Sequence, residues 1–334
     1  MSTKHKRALI CGISGQDGAF LADFLLRQGY QVFGTSRDAQ VSSFANLVTL
    51  GIRSRVSLAS MVLTDFRSVL QVLAKSEPDE IYNLAGQSSV GLSFEQPVET
   101  LESIATGTLN LLEAVRFLAR PIRIYSAGSS ECFGDTNGRP ADELTPFRPR
   151  SPYAVAKATA YWQVANYREA YGLFACTGIL FNHESSLRPE RFVTRKIIAA
   201  ASRIAQGSKE KLRLGNLAVQ RDWGWAPEYV EAMWQMLQTK EAADYVVATG
   251  EANRLEDFCA AAFAEKGLNW QDHVEIDRHL FRPTEIMYGC GNPEKAKNDL
   301  GWAARAKMRD VVRKMLAVEQ QLPDSKPETG QSGP

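Results

Sequence analysis

The chain has 334 residues, 44% hydrophobic and 23% charged, with 39 Lys and Arg against 38 Asp and Glu and a formal net charge of +1. A chain of this size and composition buries a core without disulfide or metal staples, which excludes a small stapled scaffold. The balanced charge argues against nucleic acid as a partner. The five scattered cysteines, Cys11, Cys132, Cys176, Cys259 and Cys290, include no Cys-x-x-Cys pair, so they read as reduced thiols, and no metal is expected. The polar start, Met1 to Arg7, lacks the apolar stretch of a signal peptide. No apolar run approaches the ~20 residues of a bilayer span, and the expectation is a cytoplasmic protein with no membrane partner.

Taken in order, Ala8 to Cys11 predicts a buried strand, and Phe20, Leu21, Phe24 and Leu25 recur at helical spacing behind it. Further strands are expected at Gln31 to Thr35, Val56 to Leu63 and Glu80 to Ala85. A helix through Val69 and Leu73 precedes the last of these and stops before Pro78. Pro97 opens a long helix to Leu118, and Ile122 to Ser126 reads as the fifth strand. A helix from about Pro152 to Tyr171, a strand Ala175 to Phe181 and a helix around Thr194 to Gln206 come next. This alternation predicts an α/β fold, a doubly wound parallel Rossmann-type sheet with a smaller mixed α/β domain towards the C-terminus. The expected division is 1–182, with a segment near 217–250 returning to it, then a discontinuous 183–320 and a disordered tail over 322–334 rich in Pro, Gly and Ser.

Gly12, Gly15 and Gly18 lie between the first strand and the first helix. Glycines there let a pyrophosphate approach backbone N–H groups at a helix N-terminus, so this is a candidate dinucleotide loop, with Gln16 and Asp17 inside it. After the second strand stands Arg37, which suits a 2′-phosphate and favours NADP, beside Asp38, which suits a ribose hydroxyl and keeps NAD as the alternative.

Tyr153 and Lys157 are four residues apart at the start of a helix and share a face. A phenol must be activated to serve as a base near neutral pH, and an adjacent ammonium favours its ionised form. Ser129 is placed to hydrogen-bond the reacting oxygen. Glu131 adds a carboxylate that simple dehydrogenation does not need, able to remove a proton α to a new ketone and to protonate a leaving hydroxyl.

The runs Ser129-Ser130-Glu131, Arg150 to Lys157, Leu180 to Ser185, Phe192 to Lys196, Leu214-Gly215-Asn216, Arg221 to Gly224 and Phe281 to Glu285 together resemble the GDP-mannose 4,6-dehydratase family, in order from about residue 6 to about 318. The resemblance implies conversion of GDP-D-mannose to GDP-4-keto-6-deoxy-D-mannose and water, with NADP recycled. By matching position it implies Ser129, Glu131, Tyr153 and Lys157 as catalytic residues. It implies Gly12, Gly15, Gln16, Asp17, Gly18, Arg37, Leu63, Leu84, Ala85, Ser88, Tyr153, Lys157, His183 and Arg188 for the cofactor, and Ser88, Asn182, Val193, Lys196, Arg221, Arg282 and Glu285 for the nucleotide sugar. The N-terminal unit would then bind NADP and the C-terminal one mainly the sugar nucleotide, in a homodimer. Ser129 replaces the family's usual Thr, Val62 its usual Asp, and Arg37-Asp38-Ala39 a run of adjacent arginines that helps build a tetramer. A 4-keto-reductase or epimerase on a related nucleotide sugar, or a dehydratase for another nucleoside-diphosphate hexose, is the alternative. Glu131 separates the dehydratases from the reductases and epimerases.

Overall fold

The computed structural model describes residues 5–319; residues 1–4 and 320–334, with the tail expected over 322–334, lie outside them. In chain order the strands are β1 (Arg7–Cys11), β2 (Gln31–Ser36), β3 (Ser57–Ser60), β4 (Glu80–Asn83), β5 (Arg123–Ala127), β6 (Ala175–Leu180), β7 (Asn182–Glu184), β8 (Leu212–Leu214), β9 (Gln220–Trp225), β10 (Tyr245–Val247), β11 (Ala252–Arg254), β12 (Val274–Ile276) and β13 (Tyr288–Gly289). Seven of them form one all-parallel sheet in the order β10-β6-β5-β4-β1-β2-β3. Ala8, Leu9, Ile10 and Cys11 are fully buried, as a central parallel strand covered on both faces requires. On one face the helix Gln16–Arg27 packs beside Ala226–Met236 through Leu21, Leu25 and Met233. On the other, the helices Phe66–Ser76, Gly107–Leu118 and Pro152–Tyr171 share a core that includes Val69, Leu111 and Val164.

The chain runs from β1 outward through β2 to β3 and then returns to lay β4 on the other side of β1. The strand order reverses there, so the loops after β1 and β4 diverge and open a crevice at the carboxyl ends of the strands. Two expected strands are shorter than their apolar runs. The third ends at Ser60: Met61 N–H makes the last ladder bond, to the Ser36 carbonyl (2.8 Å), and Val62 N–H leaves the sheet for Ser68 Oγ (3.0 Å), so Leu63 lies in the loop. The fourth ends at Asn83, leaving Leu84 and Ala85 at the crevice edge. β10, three residues long, is too short to show alternation and leaves no signal in the sequence. The helix expected from Pro97 to Leu118 forms with a π turn, Glu102–Thr106, between α-helical segments Pro97–Leu101 and Gly107–Leu118.

Between β6 and β7 the chain changes sheets, passing only Phe181. β7 pairs with β9, which also pairs with β11 antiparallel and β13 parallel, while β8 and β12 form a separate parallel pair. The helices Val193–Ala205, Leu255–Ala264 and Met308–Glu319 contribute to a second core around Ile197, Trp223, Phe258 and Val312. No helix among the described residues is long and apolar enough to cross a membrane.

Candidate active site

The glycine loop is built around a left-handed turn at Gly12 (φ +82°), whose N–H bonds the Thr35 carbonyl at 3.2 Å. A Cβ at Gly12 would lie 2.9 Å from Ala85 Cα, and one at Gly18 would lie 2.5 Å from Gly12 O. These two glycines therefore serve the turn and the close approach of helix to loop. Gly15 is the N-cap of the helix Gln16–Arg27 and offers no side-chain cap, so the first amides are free to face an anion.

Gln16, Asp17 and His183 are brought together and bonded to one another. His183 Nε2 lies 2.8 Å from Asp17 Oδ2, and its Nδ1 lies 2.7 Å from the Phe181 carbonyl. Both ring nitrogens face acceptors, an arrangement that only the imidazolium satisfies fully. Gln16 Nε2 donates to the His183 carbonyl (3.2 Å) and to Asp17 Oδ1 (2.9 Å), and Ser185 Oγ donates to Gln16 Oε1 (2.7 Å). Burial works against both charges, but the Asp17–His183 pair outweighs it: Asp17 is held down to about 2 and His183 is raised. The brace fastens the glycine loop to β7. Linkage sets the sign of its pH dependence. Asp17 stabilises the fold above its unfolded pKa and loses that contribution as pH falls towards about 2; His183 contributes fully below its unfolded pKa near 6.5 and less as pH rises through its raised value. The melting-temperature deficit of His183→Gln should therefore be several degrees between about pH 4 and 6.5 and shrink on the alkaline side. A deficit that grows at alkaline pH would refute the imidazolium brace.

The remaining residues expected at the cofactor lie around the same crevice. Leu84 and Ala85 come directly after β4, and Ser88 is exposed beyond them. The Leu63 carbonyl accepts a hydrogen bond from Asn110 Nδ2 at 2.8 Å. Arg37 is 84% exposed, and its one ionic partner among the described residues is the exposed Glu99 at 3.4 Å. Arg188 pairs with the buried Glu184 (3.2 Å) and lies over the Phe192 ring (3.8 Å).

At the end of β5, Ser129 caps the short turn Ser130–Phe133, its Oγ accepting the Glu131 N–H at 3.3 Å. Tyr153 lies in the first turn of the helix Pro152–Tyr171, which Ser151 caps by accepting the Ala154 N–H at 3.1 Å. Burial pushes the Tyr153 phenol above its ordinary pKa, and the neighbouring Ser129 hydroxyl opposes the rise. Lys157 Nζ donates to the Ala127 carbonyl at 2.7 Å and stands 5.9 Å from the centre of the Tyr153 ring. Burial pulls its pKa down to about 8. An ammonium this close to the phenol favours the phenolate. Cys132 is buried, its thiol 3.7 Å from the Ala154 carbonyl and pushed up by burial to about 12, so it stays protonated.

The second sheet system delivers the cations. Arg221 on β9 is 9% exposed; its Nη1 donates to the carbonyls of Gln220 (2.9 Å) and Ile286 (2.8 Å), and its Nη2 lies 3.6 Å from Glu285 Oε1. Arg282 Nη1 lies 3.7 Å from Glu131 Oε1. Burial lowers the pKa of Arg221, and burial raises that of Glu285 despite both arginines. Lys196, on the helix that Val193 opens, donates to the Arg213 carbonyl of β8 (2.8 Å), and Asn182 begins β7.

Sequence reasoning assigned no role to two carboxylates that hold this arrangement. Asp135 accepts the Met287 N–H at 2.7 Å, and the buried Asp222 accepts the N–H groups of Thr249 (2.8 Å), Gly250 (2.9 Å) and Gly291 (3.4 Å). Asp135 and the Thr284 hydroxyl, which donates to the Arg150 carbonyl, pin the segment after Arg282, while Asp222 joins Thr249 and Gly250 to Gly291 beyond it. Asp222 sits in the Arg221-Asp222-Trp223-Gly224 run, so its signal was present; Asp135 had none.

The family model described as GDP-mannose 4,6 dehydratase matches residues 9–315. GDP-mannose 4,6 dehydratase 1 of Arabidopsis thaliana is 48% identical over 328 residues, covering 95% of this chain and 91% of that protein. GDP-mannose 4,6-dehydratase of Sinorhizobium fredii is 45% identical over 340 residues, covering 94% and 96%. Among solved structures, dTDP-glucose 4,6-dehydratase from Bacillus anthracis in complex with NAD superposes with a TM-score of 0.83 at 17% identity, covering 95% of this chain and 97% of that one. RMD from Pseudomonas aeruginosa complexed with NADPH gives 0.78 at 22%, covering 95% and 99%. Those two share the fold. With a family model spanning nearly all of the described chain and relatives of this identity along its whole length, the protein belongs to the GDP-mannose 4,6-dehydratase family.

Proposed function

We propose that the protein converts GDP-D-mannose to GDP-4-keto-6-deoxy-D-mannose and water, with NADP as its recycled cofactor. The observation that carries this reading is Glu131: a carboxylate two residues from Ser129, in the crevice that holds Tyr153, and within 3.7 Å of a guanidinium suited to a diphosphate. The glycine loop fits a dinucleotide, since Gly12 allows the close turn and Gly15 leaves the helix N-terminus uncapped. Gly12, Gly15 and Gly18 would hold the pyrophosphate, Arg37 a 2′-phosphate, and Leu63, Leu84, Ala85 and Ser88 the rest of the cofactor, with Asp17, Gln16 and His183 bracing the loop. A nicotinamide held there would supply the hydride acceptor for C4 and the hydride donor for C6.

Tyr153 takes the proton of the 4-hydroxyl, Ser129 orients that oxygen, and the Lys157 ammonium supports the phenolate. Glu131 removes the C5 proton, acidified by the 4-ketone, and its acid form protonates the departing 6-hydroxyl; when hydride returns to C6, C5 takes up a proton from solvent, balancing the one lost from the 4-hydroxyl. Arg221, Arg282 and Lys196 hold the GDP moiety, with Ser88, Asn182, Val193 and Glu285 lining it; Arg188 supports the cofactor side. In this reading the seven-stranded sheet serves the cofactor and the smaller sheets the nucleotide sugar. Purified protein given GDP-mannose and no reduced cofactor should yield a product lighter by one water, by mass spectrometry. An unchanged GDP-mannose mass with NADP present would reject the reading.

The proposed assembly is a homodimer. Val98, Leu101 and Leu109, and on the neighbouring helix Val155 and Trp162, are apolar and exposed, Trp162 by 63%. A Trp162→Glu substitution should convert the dimer to monomers in light scattering. A variant that stays dimeric would remove this face from the interface.

A further inference from the structure

We propose that Ile104 is a positioning residue for Tyr153, delivered to it by the π turn Glu102–Thr106; this rests on the reading of Tyr153 as the base. A regular α-helix from Pro97 to Leu118 would advance ~100° per residue. The extra residue of the π turn rotates the helical segment before it by about that amount relative to the segment after it. Ile104, at the centre of the turn, is 2% exposed and forms one buried apolar cluster with Tyr153, Ala156 and Ala160, flanked by Val90 and separate from the two larger cores of the parallel sheet. Ala156 and Ala160 are small, so the tyrosine helix brings little bulk to this cluster and Ile104 fills it.

The opposite side is fitted to the same side chain. Gly86 has φ +128°, and a Cβ there would lie 2.8 Å from Ile104 Cγ1. The turn is fastened to the crevice by Ser103 Oγ, which accepts the Gln87 N–H at 3.3 Å. Thr108 Oγ1 donates to the Ile104 carbonyl at 2.7 Å and accepts from Asn83 Nδ2 at 3.2 Å. Ile104 is thus held between the loop after β4 and the cluster around Tyr153, where its bulk limits the swing of the phenol away from Ser129.

The test compares wild type, Ile104→Ala, Ile104→Val and Tyr153→Phe with GDP-mannose and with GDP-[4-²H]mannose, normalised to cofactor-occupied sites. Ile104→Ala should lower kcat about tenfold by misplacing the phenol, leave KM within about twofold, and raise the deuterium isotope effect on kcat. A residue that only fills the core would lower the melting temperature and leave the normalised kcat and the isotope effect unchanged, which would overturn the inference. If Ile104→Ala does not fold, Ile104→Val decides: a raised isotope effect supports the inference and an unchanged one overturns it. Tyr153→Phe separates the two claims, since full activity in that variant rejects Tyr153 as the base, whereas an inactive Tyr153→Phe beside an unaltered Ile104→Ala rejects only the role of Ile104.

Discussion

Glu131→Gln should lower the rate of water loss from GDP-mannose by about a thousandfold, within the range that removal of a general acid–base group produces. The amide preserves shape and hydrogen-bonding reach but can neither take the C5 proton nor return one to the departing 6-hydroxyl. Binding should be affected far less, because Arg221 and Lys196 keep their own backbone anchors. Oxidation at C4 relies on Tyr153, Ser129 and Lys157 and should persist. In D₂O, wild-type product should carry deuterium at C5, and recovered substrate from the variant should carry none. Dehydration at the wild-type rate would remove Glu131 from the chemistry.

Gly18→Ala should be the most damaging single methyl in the cofactor loop. The added Cβ would sit 2.5 Å from Gly12 O and 2.6 Å from Ile13 Cα, both backbone atoms that no rotamer change can move. The helix Gln16–Arg27 must then shift off the loop, which costs about 3 kcal/mol, at the upper end of overpacking penalties. That shift also moves the free amides that follow Gly15 and strains the Asp17–His183 contact. The expected outcome is protein purified without cofactor, with a clearly lowered melting temperature and no detectable dehydration. By contrast, Gly15→Ala meets only Gly12 O at 3.4 Å and should fold normally. Equal stability of the two variants would show that helix–loop packing is not what Gly18 provides.

Local features of this chain were legible because their causes are local. The buried run Ala8 to Cys11 specifies a central strand, the Gly12 to Gly18 turn specifies a helix start with free amides, and the spacing of Tyr153 and Lys157 specifies a shared helix face. The motifs from Ser129 to Glu285 identified the family for the same reason, since each is a short run read in place. What they left open was who meets whom. Asp17 and His183 are 166 residues apart, and their pairing depends on β7 being folded beside the glycine loop by the second sheet. Arg282 reaches Glu131 because β13 adds to β9 and two contacts, Met287 N–H to Asp135 and the Thr284 hydroxyl to the Arg150 carbonyl, tie the connecting segment down. The π turn leaves no trace in hydrophobic periodicity, because one extra residue in a helix is a choice made by packing on both sides, here Gly86 and the cluster around Tyr153. Sequence by itself determined the fold class, the family and the chemical groups; only tertiary structure decided their pairings, since distances between segments far apart in the chain are set by the packing of sheets and helices rather than by any spacing along it.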